Sequence, residues 1–296
     1  MNDFFAMGHD TVSDSEYRSV SEASIVCLTE EEMAAWRREQ GATVIFRRGR
    51  YWGRLRGFYS SIHWLARMSA EEAKKPVSLC WGFRTALCDA DVAFANGSMP
   101  VHLLSDVKNY GMDSLPSKRR STIRKAKRFA QIVQLVGPAL LWQQGYELLC
   151  SVGDRLGRYR PASKEKYLAG ADRHSKDPRR LILAGLVGRK LAACLEGYAV
   201  DRTAYIDFMF IATEAQSTEV GSGLVFEFAQ ICRRSQKIEE VVYGLHAREN
   251  KALGFYKEKM GFPVVPIPSR VSINPVVAQY IRWRKPHVFY RLTGLG

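Results

Sequence analysis

ENKALGFYKEKMGF, residues 249–262, decides how this chain is read. Asn250 is a residue type that caps a helix by accepting from the first N–H groups. Ala252, Leu253, Phe255, Tyr256 and Met260 recur at helical spacing, and Gly261 ends the run because it accepts a positive φ. The spacing predicts a short amphipathic helix followed by a strand. Tyr256 has two readings within it: a core aromatic beside Phe255, or a phenol that remains a proton donor at neutral pH.

Working outward, EEVVYGLH (239–246) reads as a strand and GSGLVFEFAQICRRSQ (221–236) as a helix. Before them RLILAGLVG, KLAACLEGYAV and TAYIDFMFIA read as three consecutive strands. The order strand, strand, strand, helix, strand therefore spans about 180–246. It occurs once before, at about 78–136, in SLCWGFRTAL, DVAFAN, PVHLLSDV, a helix in SLPSKRRSTIRKAKRFA, and QIVQLV. Ser114 and Pro116 suit that helix's start, and Ile123, Ala126 and Ala130 share one face. The two copies share order without clear sequence identity. Helices at ALLWQQGYELLCSVGDRL and SKEKYLAGAD lie between them, and a helix at TEEEMAAWRRE precedes the strand ATVIFRR. The fold class is α/β, divided into an N-terminal extension (1–40), a first half (41–129) and a second half (130–296).

Between the third strand and the helix of the second copy lies ATEAQSTEVGSGLVFEFA (212–229). A Gly-x-Gly at a helix mouth leaves backbone N–H groups to cradle phosphate oxygens, with the helix dipole adding attraction. Followed in order by a strand and by the Asn-Tyr-Gly-Phe stretch, it resembles the GNAT acyltransferase superfamily over roughly residues 130–296. The resemblance implies acetyl-CoA or another acyl-CoA as donor, held by Thr218, Val220, Gly221, Ser222 and Gly223. It implies Asn250 at the cofactor arm, Tyr256 as general acid toward the leaving thiolate, and a primary amine on a small or sugar-linked acceptor. The family's loop opens with Arg or Gln; this chain has Thr218 there, and Gln216 two residues earlier. The doubled half, preceded by LPSKRRSTIRKAKR, is similar to the FemABX-type transferases. These carry two GNAT-like halves and take an aminoacyl group from tRNA. A third reading is a catalytically silent GNAT-like fold that binds RNA or protein.

A pair of carboxylates adds chemistry from the residues themselves. If the chain turns at Asp201-Arg202, Val200 lies opposite Thr203, Tyr198 opposite Tyr205, and Glu196 opposite Asp207. Like charges opposed in an apolar hairpin are unfavourable. They point to proton abstraction from an amine, or to a strand pair neutralised by Arg or Lys. His246 ends the strand before Asn250; a lone His is more often structural.

The chain of 296 residues carries a net charge of +14, which favours anionic partners without choosing among them. Seven of the eleven residues 118–128 are basic, so Lys118, Arg120, Arg124 and Lys127 are candidate tRNA phosphate contacts. The other reading is a solvated surface helix. Six scattered cysteines lack a C-x-x-C pair, and His63 and His102 offer no metal spacing, so no metal is expected. No apolar run approaches the ~20 residues of a membrane span. The start MNDFFAMGHD lacks a signal-peptide pattern, and the expected location is cytoplasmic.

Overall fold

The computed structural model describes residues 16–157 and 161–295, so part of the 1–40 extension lies outside the described residues. The chain forms two compact units, each assembled from three segments. The first comprises 1–24, 122–196 and 208–231; the second comprises 25–121, 197–207 and 232–296. This interleaving differs from the linear boundaries read from the sequence. Its physical origin lies in the strand order.

In the first unit β1 (Tyr17–Ser19), β8 (Gln131–Leu135), β9 (Leu181–Val187) and the first part of β10 (Lys190–Val200) are neighbours in that order, followed by the end of β11 (Thr203–Ile211). Helix α5 (Val220–Ser235) supplies buried Val220, Leu224, Val225 and Phe228. Two glycines set its packing distance. A Cβ on Gly223 would lie 2.9 Å from Ile132 Cδ1 and 3.0 Å from Ala126 Cβ, and one on Gly221 would overlap the Ile211 side chain. Ala126 belongs to α2 (Ser117–Phe129), which buries Ile123 and Ala126 as its spacing predicts. A π-helical turn at Leu141–Gly145 leads into α3 (Tyr146–Leu156), and α4 (Lys164–Ser175) follows.

The second unit holds α1 (Glu30–Glu39), whose start is fixed by a reciprocal cap. Thr29 Oγ1 accepts the Glu32 N–H, and Glu32 Oε2 accepts the Thr29 N–H at 2.8 Å. Its Met33, Ala34 and Trp36 pack with Ile62, Met99, Val101, Val242 and Ile267 in the main core of this unit. The strand order is β12 (Glu240–Leu245), β7 (Gly97–Leu104), β13 (Val264–Ile273), β6 (Gly82–Ala86), β5 (Phe58–Ser61), β4 (Arg50–Leu55), β3 (Thr43–Arg47). The short β2 (Cys27–Leu28) pairs in parallel with the end of β10. Here is the cause of the interleaving: β13 inserts antiparallel between β7 and β6, so the end of the chain completes a sheet begun in its first third. Helices α6 (Lys251–Lys259), α7 (Pro275–Arg284) and α8 (Pro286–Thr293) complete the unit. DVAFAN is not a strand: Asp89–Phe94 is a 3₁₀ helix with no buried residue. The Asp91 carboxylate there accepts the Ala70 N–H at 3.0 Å and ties this turn to the remote 69–70 segment.

One buried group ties this unit together. His63 Nδ1 meets the Tyr205 hydroxyl at 2.8 Å, and its Nε2 lies 3.2 Å from Asp201 Oδ2 and 3.7 Å from Glu30 Oε1. Burial pushes the imidazole pKa down, but hydrogen bonds to Asp201 and Glu30 outweigh burial and raise it. A raised pKa means stability that is full below pH 6.5 and is lost as pH rises through the folded-state value. Urea unfolding should therefore show stability falling as pH climbs above 6.5. His63→Gln should flatten that fall and cost about 1–3 kcal/mol at pH 6. Parallel pH profiles for the two proteins would refute the linkage.

Candidate active site

In the second unit β11 and β12 pair in parallel over three rungs only, Thr203↔Glu240, Ala204↔Val241 and Tyr205↔Val242. Beyond them β12 takes an extra residue: Tyr243 and Gly244 together oppose His102 of β7, with Gly244 at φ +79°. This bulge turns the Tyr243 carbonyl toward α6, where Lys257 Nζ donates to it at 2.6 Å. Lys257 is buried, and burial followed by repulsion from Arg291 lowers its pKa to about 8.

Helix α6 begins and ends as its sequence predicts. Asn250 Oδ1 accepts the Leu253 N–H at 3.1 Å, and Gly261 stops the helix at φ +90°, where a Cβ would sit 3.0 Å from the Tyr110 ring. The Tyr256 hydroxyl is buried, and the Arg119 guanidinium lies 5.5 Å from the Tyr256 ring centre. Burial and the nearby Tyr256 push the phenols of Tyr110 and Tyr243 up.

Beside them stands a histidine pair. His102 Nδ1 lies 3.0 Å from the Phe262 carbonyl, which can only accept, so Nδ1 carries the proton. Burial lowers the pKa of both His102 and His246. Neutral His102 therefore offers its Nε2 lone pair to the His246 Nδ1–H at 3.2 Å. The Nε2 of His246 is left as a proton acceptor. The close approach of α6 here uses Gly254, whose Cβ would lie 3.5 Å from the His246 ring.

The hairpin turns at Asp201-Arg202 with Asp201 at φ +52°. The Tyr198 and Tyr205 rings stack at 5.1 Å as opposed positions do. Glu196 falls in the first unit and Asp207 in the second, where Asp207 is exposed. The Glu196 carboxylate is ion-paired to the buried guanidinium of Arg180 and lies 3.2 Å from His174 Nδ1. That arrangement fits a structural ion pair.

The mouth of α5, in the first unit, is occupied by its own residues. Gly221, Ser222 and Gly223 lie inside the first helical turn. The Ser222 and Gly223 N–H groups donate to the Glu219 carbonyl at 2.9 and 3.2 Å, and the Val220 N–H to Thr218 Oγ1 at 3.4 Å. The Glu219 carboxylate stands 3.4 Å from the Ser222 hydroxyl. A pyrophosphate at this mouth would meet a negative charge and amides already in use, so these residues do not fit that group. An open cleft of about 630 Å³ in the same unit is lined by Tyr146, Glu147, Cys150, Asp154, Arg155 and Thr213.

On α2, Lys118 and Arg124 are exposed, Arg120 is half-buried, and Lys127 is engaged with Glu227 at 2.8 Å. Among the described residues, Glu30, His63 and Asp201 hold potential metal-ligand atoms within 4.8 Å of one another. His63 Nε2 lies between the two carboxylates, 3.2 Å from Asp201 Oδ2 and 3.7 Å from Glu30 Oε1. Sequence reading did not single out Lys257, and it named His246 and His102 separately, not as a pair. The only signal for them was adjacency, Lys257 to Tyr256 and His246 to the end of a strand.

Residues 146–262 match the family model described as Acetyltransferase (GNAT) family. No curated protein matches the sequence. The C-terminal domain of a putative lysylphosphatidylglycerol synthetase from Agrobacterium fabrum is similar in structure, with a TM-score of 0.57 and 11% identity over 90% of this chain and 95% of that one. L-PGS from Bacillus licheniformis gives 0.52 and 12% over 90% and 99%. FemX gives 0.54 and 9% over 84% and 92%. At such identities the likeness shows the fold, which is α/β with two GNAT-like halves in tandem. Their common order is β6, β7, α2, β8 in one half and β10, β11, α5, β12 in the other.

Lys257 gives this geometry a thermodynamic readout. Its folded-state pKa is depressed from 10.5 to about 8, so stability present above pH 10.5 is lost as pH falls through about 8. The unfolding free energy of the wild type should therefore rise relative to Lys257→Met between pH 8 and 10.5. A constant difference across that window would show that the amine is not held in a desolvated site.

Proposed function

Proceeding from a GNAT acyltransferase domain in residues 146–262, we propose that the chain transfers an aminoacyl group from an aminoacyl-tRNA ester to an amine on a small or sugar-linked acceptor. The observation that carries the choice of donor is the α5 mouth, where Glu219 stands beside Ser222 in the place a pyrophosphate would need. Basic residues of α2 support it: Lys118 and Arg124 are exposed, Arg120 is half-buried, and Lys127 is engaged with Glu227, so phosphate contacts by these residues include an exchange of present partners.

The chemistry is assigned to the second unit. His246 Nε2 takes the proton of the attacking amine as the new C–N bond forms, with His102 holding its ring. The Lys257 ammonium stabilises the oxyanion that develops on the ester carbonyl. As the ester C–O bond breaks, Tyr256 gives its proton to the departing ribose oxygen and regains one from His246. Asn250 orients the donor arm at the start of α6, and Asp207 holds the acceptor ammonium before it loses its proton. Glu196, paired with Arg180 and His174 within the first unit, is left out of the step.

Acyl-CoA is the second reading. The family match supports it, because the matched span contains Thr218–Gly223, Asn250 and Tyr256 together.

Titrating the full chain with aminoacylated bulk tRNA and with CoA separates the two. Under the first reading tRNA binds, and its log–log salt slope falls by about 0.9 for each of Lys118→Ala and Arg124→Ala. CoA does not bind the wild-type chain, and Glu219→Gln, which removes the charge at the α5 mouth, is the change that would ease its entry. CoA binding by the wild type would establish the second reading. In transfer assays His246→Gln should lower kcat by about 10²-fold or more. Gly221→Val does not discriminate between the donors, because its side chain would strike Ile211 whichever is used.

A further inference from the structure

Two segments remote in sequence, KKPVSLCWG (74–82) and NPVVAQYIRWRK (274–285), share one composition: lysines and arginines beside tryptophan and aliphatic residues. The second unit brings them together. The Asn274 N–H, at the cap of α7, donates to the Trp81 carbonyl at 2.7 Å, and Gly82 pairs with Ile273. Their apolar side chains face outward. Leu79 is 96% exposed, Val276 76% and Trp283 74%, with Trp81 and Tyr280 each above half.

Helix α7 explains its own orientation. Val276, Tyr280 and Trp283 are spaced by four and three residues and so lie on one face. Val277, Ala278 and Ile281 on the opposite face are half-buried, and no residue of the helix is fully buried. A short helix that keeps its larger aromatics outside is an exception among soluble surfaces, where such groups occur singly. The surrounding charge has one sign along the helix. Arg282, Arg284 and Lys285 flank the stripe, and no Asp or Glu follows Glu258 in the chain. The Arg284 guanidinium lies 5.1 Å from the Trp283 ring centre, placing a cation at the edge of the apolar face. On the other segment Lys74 is ion-paired to Glu71, and Lys75 is exposed.

We propose that Leu79, Trp81, Val276, Tyr280 and Trp283 form a docking surface for an anionic lipid bilayer, which the protein meets from one side without crossing. Trp and Tyr bring an apolar body and a polar tip, the combination that settles at a headgroup boundary. Arg and Lys stems extend from such a face to reach lipid phosphates. No helix among the described residues is long and apolar enough to cross a membrane, and the face described here is suited to the headgroup boundary. This surface is independent of the donor and acceptor assigned above.

Co-sedimentation of the full chain with vesicles tests it. One vesicle is phosphatidylcholine alone; the other contains about one third phosphatidylglycerol, enough to give the surface a negative potential. The chain should bind the anionic vesicles, and raising the salt should release it. Tyr280→Ser/Trp283→Ser should weaken partition by about tenfold or more, since both anchors leave the interface. Arg282→Gln/Arg284→Gln should weaken it on anionic vesicles alone. Leu55→Ser, an exposed aliphatic on β4, should not change it, and circular dichroism verifies that every variant is folded. Tryptophan quenching by brominated lipid should drop in Trp283→Phe. Three results would overturn the proposal: no vesicle binding, equal binding to neutral vesicles, or unchanged binding by the Tyr280/Trp283 variant. So would a dimer that becomes monomeric in that variant while vesicles remain unbound, since the face would then belong to a second copy of the chain.

Discussion

The parallel ladder between β11 and β12 stops after Tyr205 and Val242, and the placement of Lys257 and the histidine pair follows from that stop. A fourth regular rung would have kept β12 straight. Instead Tyr243 and Gly244 share the space opposite His102, at a φ that only glycine tolerates without strain. The displaced Tyr243 carbonyl becomes an acceptor for Lys257, and the strand emerges with His246 beside His102. One inserted residue thus sets a desolvated amine and a neutral imidazole pair on adjacent turns of structure. Replacing Gly244 with any L-residue carrying a side chain would strain the bulge that aims both.

These placements explain what the sequence carried about the site. Asn250 and Gly261 announced the ends of α6 because caps are written in local residue types, and local rules decide them. Tyr198 stacked on Tyr205 was likewise readable, since a two-residue turn fixes which positions oppose. Lys257 was not, because nothing in KEKMGF says that this lysine points inward. Its burial depends on a carbonyl fourteen residues upstream. The glycines at 221 and 223 illustrate the converse. Their pattern suggested a phosphate cradle, yet each is required by the close approach of a side chain, Ile211 in one case and Ile132 with Ala126 in the other. A motif of small residues records crowding before it records a ligand.

The fold divides in the same way. Amphipathic helices such as α1 and α2 and the apolar strands β9 to β11 follow period and caps, and the chain order of the two halves was visible from them. The place of β13 was not. VVPIPSR holds two prolines, which argue against a strand inside a sheet. The ladders resolve the contradiction. The Pro263 carbonyl accepts from Leu103 of β7, whereas the Pro268 carbonyl accepts from Leu87 on the β6 side. Pro266 shares the parity of Pro268, so both lack an N–H on the side of β6, whose ladder starts only at Ser269. The prolines sit where no donor is asked for, a fact that exists only once the register is known.

The late position of β13 has a consequence for how the protein is made. β6 and β7 leave the ribosome with an open slot between them, and the strand that fills it follows much later in the chain. At about 5–20 residues per second, the roughly 160 residues separating β7 from β13 take on the order of ten to thirty seconds to synthesise. For that interval the nascent chain displays unpaired strand edges lined by Met99, Val101 and Phe83, side chains that end up buried. A product released early, before Val264, would carry nearly every side chain assigned to catalysis and still lack the strand that closes its own sheet.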